Sequence, residues 1–252
     1  MSNSLGLFIG ILLYIQIPLF SVHSQEISTS ATSDFSKIEM TPSELLPPNH
    51  IAEFEDTLVN DAPIVWKAYF PSDYNQSTPP GLLVYTSPGL SLIEPHNWTK
   101  IAEENNLIWI YAEKSGRKAT VQLRILLAEL TYLMAKQTFD LNLERIYAAG
   151  DGGITSQLIM QNSTDFNGAI FSGDIPWIEK DQPKIRAMKN SKIVFIIGSE
   201  QKASNHMQNV YNEYKKLGVK NTKLTYLEEN HIAFVKLRKI SQSIKFLDRP
   251  ES

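Results

Sequence analysis

Residues 145–157, RIYAAGDGGITSQ, read as a buried strand that runs into a glycine turn and then a helix. A turn of this kind can hold a nucleophile at the mouth of a cleft, yet it contains no serine or cysteine. Its side chains are the carboxylate of Asp151 and the bare hydrogens of Gly152 and Gly153. Ser156 stands about a turn into the expected helix and cannot be the apex. A carboxylate at a helix start has two uses. It accepts backbone N–H bonds and complements the helix dipole, which stabilises by about 0.5–2 kcal/mol without any catalytic purpose, or it attacks an electrophilic carbon itself. The other titratable group of interest is His231, which follows the run KLTYLEEN and precedes a final helical run. His50, His96 and His206 show no ligand spacing, so neither a metal nor a cofactor is expected.

The elements that must position these groups are legible as alternating runs. Short apolar stretches begin at Gly81 (GLLVYTS), Leu107 (LIWIYAEK), Arg145 (RIYAAG), Gly168 (GAIFSG), Lys192 (KIVFIIGS) and Lys223 (KLTYLEE). Their near-continuous apolar character suits strands covered on both faces. HIAEFEDTLV and PIVWKAYFP read as an antiparallel opening pair across a turn at Asn60 to Ala62. In Val121 to Gln137 the residues Leu123, Leu126, Leu127, Leu130, Leu133 and Met134 recur at helical steps on one stripe. SNHMQNVYNEYKKLG reads as a helix capped by Ser204 and stopped at Gly218. The alternation predicts an α/β fold: a doubly wound, mostly parallel sheet with helices on both faces and antiparallel N-terminal strands. Ligands in such sheets sit beyond the carboxyl ends of the strands. Trp98, Trp109 and Trp177 read as core or cleft-wall aromatics.

A chain of 252 residues with 42% apolar content can bury a core of one domain. Its net charge of −3, with acids and bases interspersed, argues against nucleic-acid partners. The apolar run from Leu5 to Phe20, ending in small residues before Gln25, reads as a signal peptide over residues 1–24, which predicts export and no integral membrane span after cleavage. Residues 25–48, rich in Ser, Thr and Pro, read as a flexible lead-in, and 49–252 as a single domain. There is no cysteine, hence no disulfide and no cysteine-linked lipid. Asn75, Asn97 and Asn162 stand in glycosylation sequons.

The stretches YFPSDYNQSTPPGLLVYTSPG, FDLNLERIYAAGDGG and GAIFSG, with an Asn-His pair after a late strand, resemble the α/β-hydrolase fold family in its secreted feruloyl-esterase-like and polyhydroxyalkanoate-depolymerase-like branch, over roughly Ala62 to Leu247. Those enzymes typically carry D-x-x-R-[IV]-Y and then G-x-S-x-G-G, with the serine on a strained elbow whose positions two before and two after must be small. Ungapped counting from Arg145 puts Gly152 at the nucleophile position, with Gly150 before it and β-branched Ile154 after it. A one-residue deletion puts Asp151 there between Ala149 and Gly153, which fits the small-residue rule better. The resemblance assigns His231 as the base and puts Gln201 where the acid belongs. A glutamine orients an imidazole but does not stabilise its charged form. Glu200 or Asp174 could substitute, although each also reads as a solvated loop carboxylate. The oxyanion loop reads TSPGLS in place of His-Gly, leaving backbone N–H groups near Ser87 and Gly89 but none on Pro88. The resemblance and its two departures together imply an exported hydrolase scaffold that binds a small-molecule ester or aromatic acid without serine-type turnover. The alternative is an active hydrolase. It would be esterase-like, or it would use Asp151 as nucleophile and His231 as base in the manner of the superfamily's dehalogenases and epoxide hydrolases.

Overall fold

Apolar runs with no polar alternation have to be covered on both faces, and the computed structural model of the chain places them in the interior of one sheet. It describes residues 35–53, 61–72, 74, 78–86, 96–116, 118–150, 153–172, 182–197, 201–227 and 237–249. Strands β3 (Gly81–Thr86), β4 (Leu107–Ala112), β5 (Ile146–Gly150) and β6 (Gly168–Ser172) are buried at every position, and β7 (Lys192–Ile197) at all but its first. With β1 (Ser36–Met40), β2 (Ile64–Tyr69) and β8 (Thr222–Tyr226) they form an eight-stranded sheet in the order β1-β2-β4-β3-β5-β6-β7-β8. β2 pairs antiparallel with both β1 and β4, and the remaining pairs are parallel. This is the doubly wound, mostly parallel sheet with antiparallel N-terminal strands that the sequence predicts.

Period-two alternation sorts the strand side chains into two layers. Leu82, Val84, Ile108 and Ile110 face a layer built from α4 (Val121–Thr138), α5 (Gly153–Asn162) and α7 (Gln201–Lys216). Leu83, Tyr85, Trp109 and Tyr111 face α3 (His96–Glu104) and α8 (Leu237–Leu247). Trp98 and Trp109 are thus core aromatics, while Trp177 lies outside the described residues. Each fully buried Leu, Ile or Val contributes about 1.5–3 kcal/mol relative to exposure, so the two layers dominate the stability of a chain without disulfides.

The amino end departs from expectation. β2's antiparallel partner is not the run after His50 but Ser36–Met40, from the segment read as a flexible lead-in, in a register running from Ser36 opposite Ala68 to Met40 opposite Ile64. An edge strand with one wet face needs only alternate apolar residues. SKIEM supplies Ile38 inward and Lys37 and Glu39 outward, a pattern hidden by its Ser- and Thr-rich surroundings. Phe35 anchors this strand edge-on against Trp109, with ring centroids 5.4 Å apart. Next, α1 (Pro42–Leu45) is tied down by Asp61, which accepts from the Ser43 N–H at 2.8 Å and the Ser43 hydroxyl at 2.6 Å. The run from His50 begins inside α2 (Pro48–Glu53), since Pro48 at a helix start loses no hydrogen bond; residues 54–60 lie outside the described set.

Two helices also differ. α4 is buried without a break from Leu126 to Ala135 rather than along one stripe, because α1, α5 and the sheet surround it. α7 starts at Gln201, before the expected Ser204 cap, and ends at Lys216, two residues short of the Gly218 expected to stop it. Gly218 has φ +98°, its N–H donates to Lys215 O and that of Val219 to Tyr214 O, both at 3.1 Å, in a Schellman closure. Asn162 closes α5 with its amide committed to Leu158 O (2.6 Å) and its carbonyl oxygen to Lys184 Nζ (3.0 Å). The expected signal peptide lies outside the described residues, among which no helix is long and apolar enough to cross a membrane.

Two ionisable groups shape the energetics. Asp248, just past α8, accepts from Arg145 Nε at 2.8 Å and Nη2 at 3.0 Å and from the Tyr147 hydroxyl at 2.7 Å. Nη2 of Arg145 also donates to Asn105 O at 2.7 Å. Burial and the Asp248 carboxylate both push the Tyr147 phenol up. Arg145 and Tyr147 share one face of β5, so a single carboxylate ties the central strand to the chain's last helix. Glu129, inside α4, is buried with one oxygen accepting from Ser163 (3.3 Å) and the other, Oε1, without a partner among the described residues. Burial, aided by the nearby Asp165 charge, pushes its carboxyl from an ordinary 4.5 up to about 8.

Two measurements check these roles. Asp248→Asn removes the charge from a mostly buried bidentate pair and should lower the unfolding free energy by about 2–3 kcal/mol in urea titrations. The folded chain keeps a proton on Glu129 that the unfolded chain releases, so this group's contribution is full below about pH 4.5 and is lost as pH rises to about 8. The loss should amount to a few kcal/mol. Glu129→Gln should flatten that fall and be more stable than the parent at pH 8; equal slopes for the two proteins would refute the assignment.

Candidate functional site

A strand and a helix flank the elbow expected after Arg145. β5 ends at Gly150 and α5 begins at Gly153, which leaves a two-residue connection occupied in the sequence by Asp151 and Gly152. Both residues lie outside the described set, so neither is placed at an apex. What precedes them is tightly determined. Gly150 stands opposite Thr86 at the carboxyl end of the neighbouring β3, and a Cβ on it would fall 1.9 Å from the Thr86 carbonyl oxygen and 2.6 Å from its Oγ1. On the other side the Ser172 hydroxyl, at the end of β6, donates to Gly150 O. Only glycine fits between them. Thr86, Gly150 and Ser172 therefore form a row across three strand ends, the edge where ligands of such sheets bind.

Within α5 the first turns are sealed. Thr155, Ser156 and Gln157 are buried, with Ser156 fully inaccessible, and Gln157 Nε2 donates to the Tyr214 hydroxyl of α7 at 2.9 Å. Ser156 is thus a helix-interior residue, as its spacing predicts. The Thr86 and Ser156 hydroxyls lack hydrogen-bond partners among the described residues.

The other expected groups are only partly located. Gln201 is the first residue of α7, four positions beyond the end of β7. His231 falls between Leu227, which follows β8, and the start of α8, and like Glu200, Asp174, Ser87, Pro88 and Gly89 it lies outside the described residues. His50, His96 and His206 sit on α2, α3 and α7, on separate parts of the fold. Thr86 and Ser172 escape a reading along the chain because their roles come from lateral neighbours. Their one sequence signal is position, each being the last residue of its strand.

Sheet order, the antiparallel second strand and a tight strand-to-helix turn after β5 define the α/β-hydrolase fold, and the solved structures that resemble the chain agree. The fluorophosphonate-binding serine hydrolase F of Staphylococcus aureus matches with a TM-score of 0.61 at 12% identity, over 86% of this chain and 99% of the other. A ferulic acid esterase matches at 0.59 and 9% identity, over 84% and 97%. An esterase of Rhizomucor miehei matches at 0.59 and 9% identity, over 84% of each. At these identities the likeness shows the fold alone. No protein-family model and no curated protein matches the sequence.

The crowding at Gly150 gives a direct test. Gly150→Ala should cost on the order of 2–4 kcal/mol, because the clash is with backbone rather than a movable side-chain tip. Ser172→Ala, which removes only a hydroxyl, should cost less than half as much in the same denaturant titration.

Proposed function

We infer that the chain is an exported α/β-hydrolase scaffold that has lost serine-type chemistry and works by binding a small-molecule ester or aromatic acid at the carboxyl edge of its sheet. One observation carries this reading: with β5 ending at Gly150 and α5 beginning at Gly153, the sequence leaves Asp151 and Gly152 for the elbow and no hydroxyl or thiol. The nearest hydroxyls that follow, on Thr155 and Ser156, are buried inside α5. Gln201 at the acid position adds a second, independent departure, since it provides no charge for an imidazolium. Removing triad members leaves only the rate enhancement due to binding and oxyanion contacts. The crowding of Gly150 favours the ungapped register, in which Gly152 takes the nucleophile position. The apolar leader supports export.

A second reading keeps turnover. Asp151 is the only functional side chain that the elbow offers, and a carboxylate there could attack carbon while His231 activates water to cleave the resulting ester. The two readings separate cleanly. The binding scaffold leaves fluorophosphonate probes unreacted, hydrolyses no short-chain aryl ester, and takes up no label from 18O-water. The Asp151 enzyme incorporates one 18O into Asp151 in a single turnover and accumulates a covalent ester there in His231→Ala, read by mass spectrometry of the peptide. Aryl-ester hydrolysis abolished in His231→Ala would overturn the binding reading.

A further inference from the structure

Away from the elbow, α8 lies beside α3 on the same side of the sheet, and its sequence LRKISQSIKFL contains three cations and no acid. A depression of about 380 Å³ between the two helices is lined by Lys100 and Glu104 of α3 and by Arg238, Ser241, Gln242 and Lys245 of α8. The α8 residues recur at steps of three and four, so they form one outward row above the buried Ile240 and Ile244. Glu104 is 3.9 Å from Lys100. Arg238 and Lys245 are exposed and have no carboxylate within ion-pair distance among the described residues. The cationic surface continues onto β8, where Lys223 reaches the Gln242 carbonyl at 3.4 Å. Burial, then the charges of Arg249 and Lys239, pull the Lys223 ammonium below its usual range. The Asp248 carboxylate beside them is already satisfied by Arg145. Cations are thus concentrated on one face of a chain whose net charge is −3.

We propose that the α3–α8 depression is a docking groove for an acidic polysaccharide, separate from the elbow, that holds the protein on a polyanionic matrix. Arg238 and Lys245 are seven residues apart on one helix, about 10 Å along its axis, a spacing suited to successive charges of a linear polymer. Ser241 and Gln242 lie between them and offer hydroxyl and amide groups to sugar hydroxyls. A flat lipid surface fits less well. The exposed large apolar side chains among the described residues are Leu143 and Tyr226, neither on α3 or α8, so the described residues of this face offer no apolar side chain to insert into a bilayer. Nucleic acid fits less well too, since the outward row carries no aromatic platform for bases.

The test uses the full chain on immobilised polygalacturonate at about 50 mM NaCl, with a neutral polysaccharide, phosphatidylcholine vesicles containing about one quarter phosphatidylglycerol, and a single-stranded oligonucleotide as comparisons. Retention on polygalacturonate alone is expected, falling at least tenfold at about 300 mM NaCl. The exposed double substitution Arg238→Gln/Lys245→Gln should weaken it at least tenfold with an unchanged melting temperature, and Lys136→Gln on the opposite layer should leave it unchanged. If the double variant does not fold, comparing the acidic and neutral polymers on the parent protein decides. The proposal is overturned by absence of retention, by equal retention on the neutral polymer, by equal losses in the Lys136 and double variants, or by stronger capture on vesicles or oligonucleotide.

Discussion

Close approach of three strand ends governs this molecule's candidate site. Thr86, Gly150 and Ser172 lie side by side on β3, β5 and β6, and the space between them admits no Cβ on the middle strand. The convergence in turn depends on strands buried on both faces, which fixes the positions of α4, α5 and α7 on one side and of α3 and α8 on the other.

The residues that give the sequence its family resemblance divide along the same line. Arg145 and Tyr147, from the R-I-Y part of the motif, converge on Asp248 and join the central strand to the last helix. Glycine at 150 answers to backbone crowding. These contacts hold the sheet to the elements around it. The positions at which the sequence departs from the family pattern, Asp151 or Gly152 and Gln201, follow β5 and β7.

Much of the architecture was legible because parallel strands with both faces covered leave an unmistakable apolar run, as in LIWIYA and KIVFII. The strand that leads up to Asp151 was legible from RIYAAG for the same reason. β1 was not, since an edge strand needs only Ile38 and Met40 on its inner side and shares its composition with unfolded segments. The run at His50 misled because its alternation suited a strand, while the prolines before it favour a helix start. Thr86 and Ser172 could not be found along the chain at all, because what defines them is a neighbour about 60 and about 20 residues away, brought close only by sheet order. Glu129 was equally silent, one acid in a helix whose full enclosure depends on α1 and α5.

The Asp248 clasp has a bearing on how the chain matures. Its acceptor follows the guanidinium and phenol that it satisfies by about a hundred residues, so the contact closes a long loop of chain. Until Asp248 has been made, Arg145 lacks this carboxylate, and a chain cut before Asp248 would leave the guanidinium without the pair that joins β5 to α8.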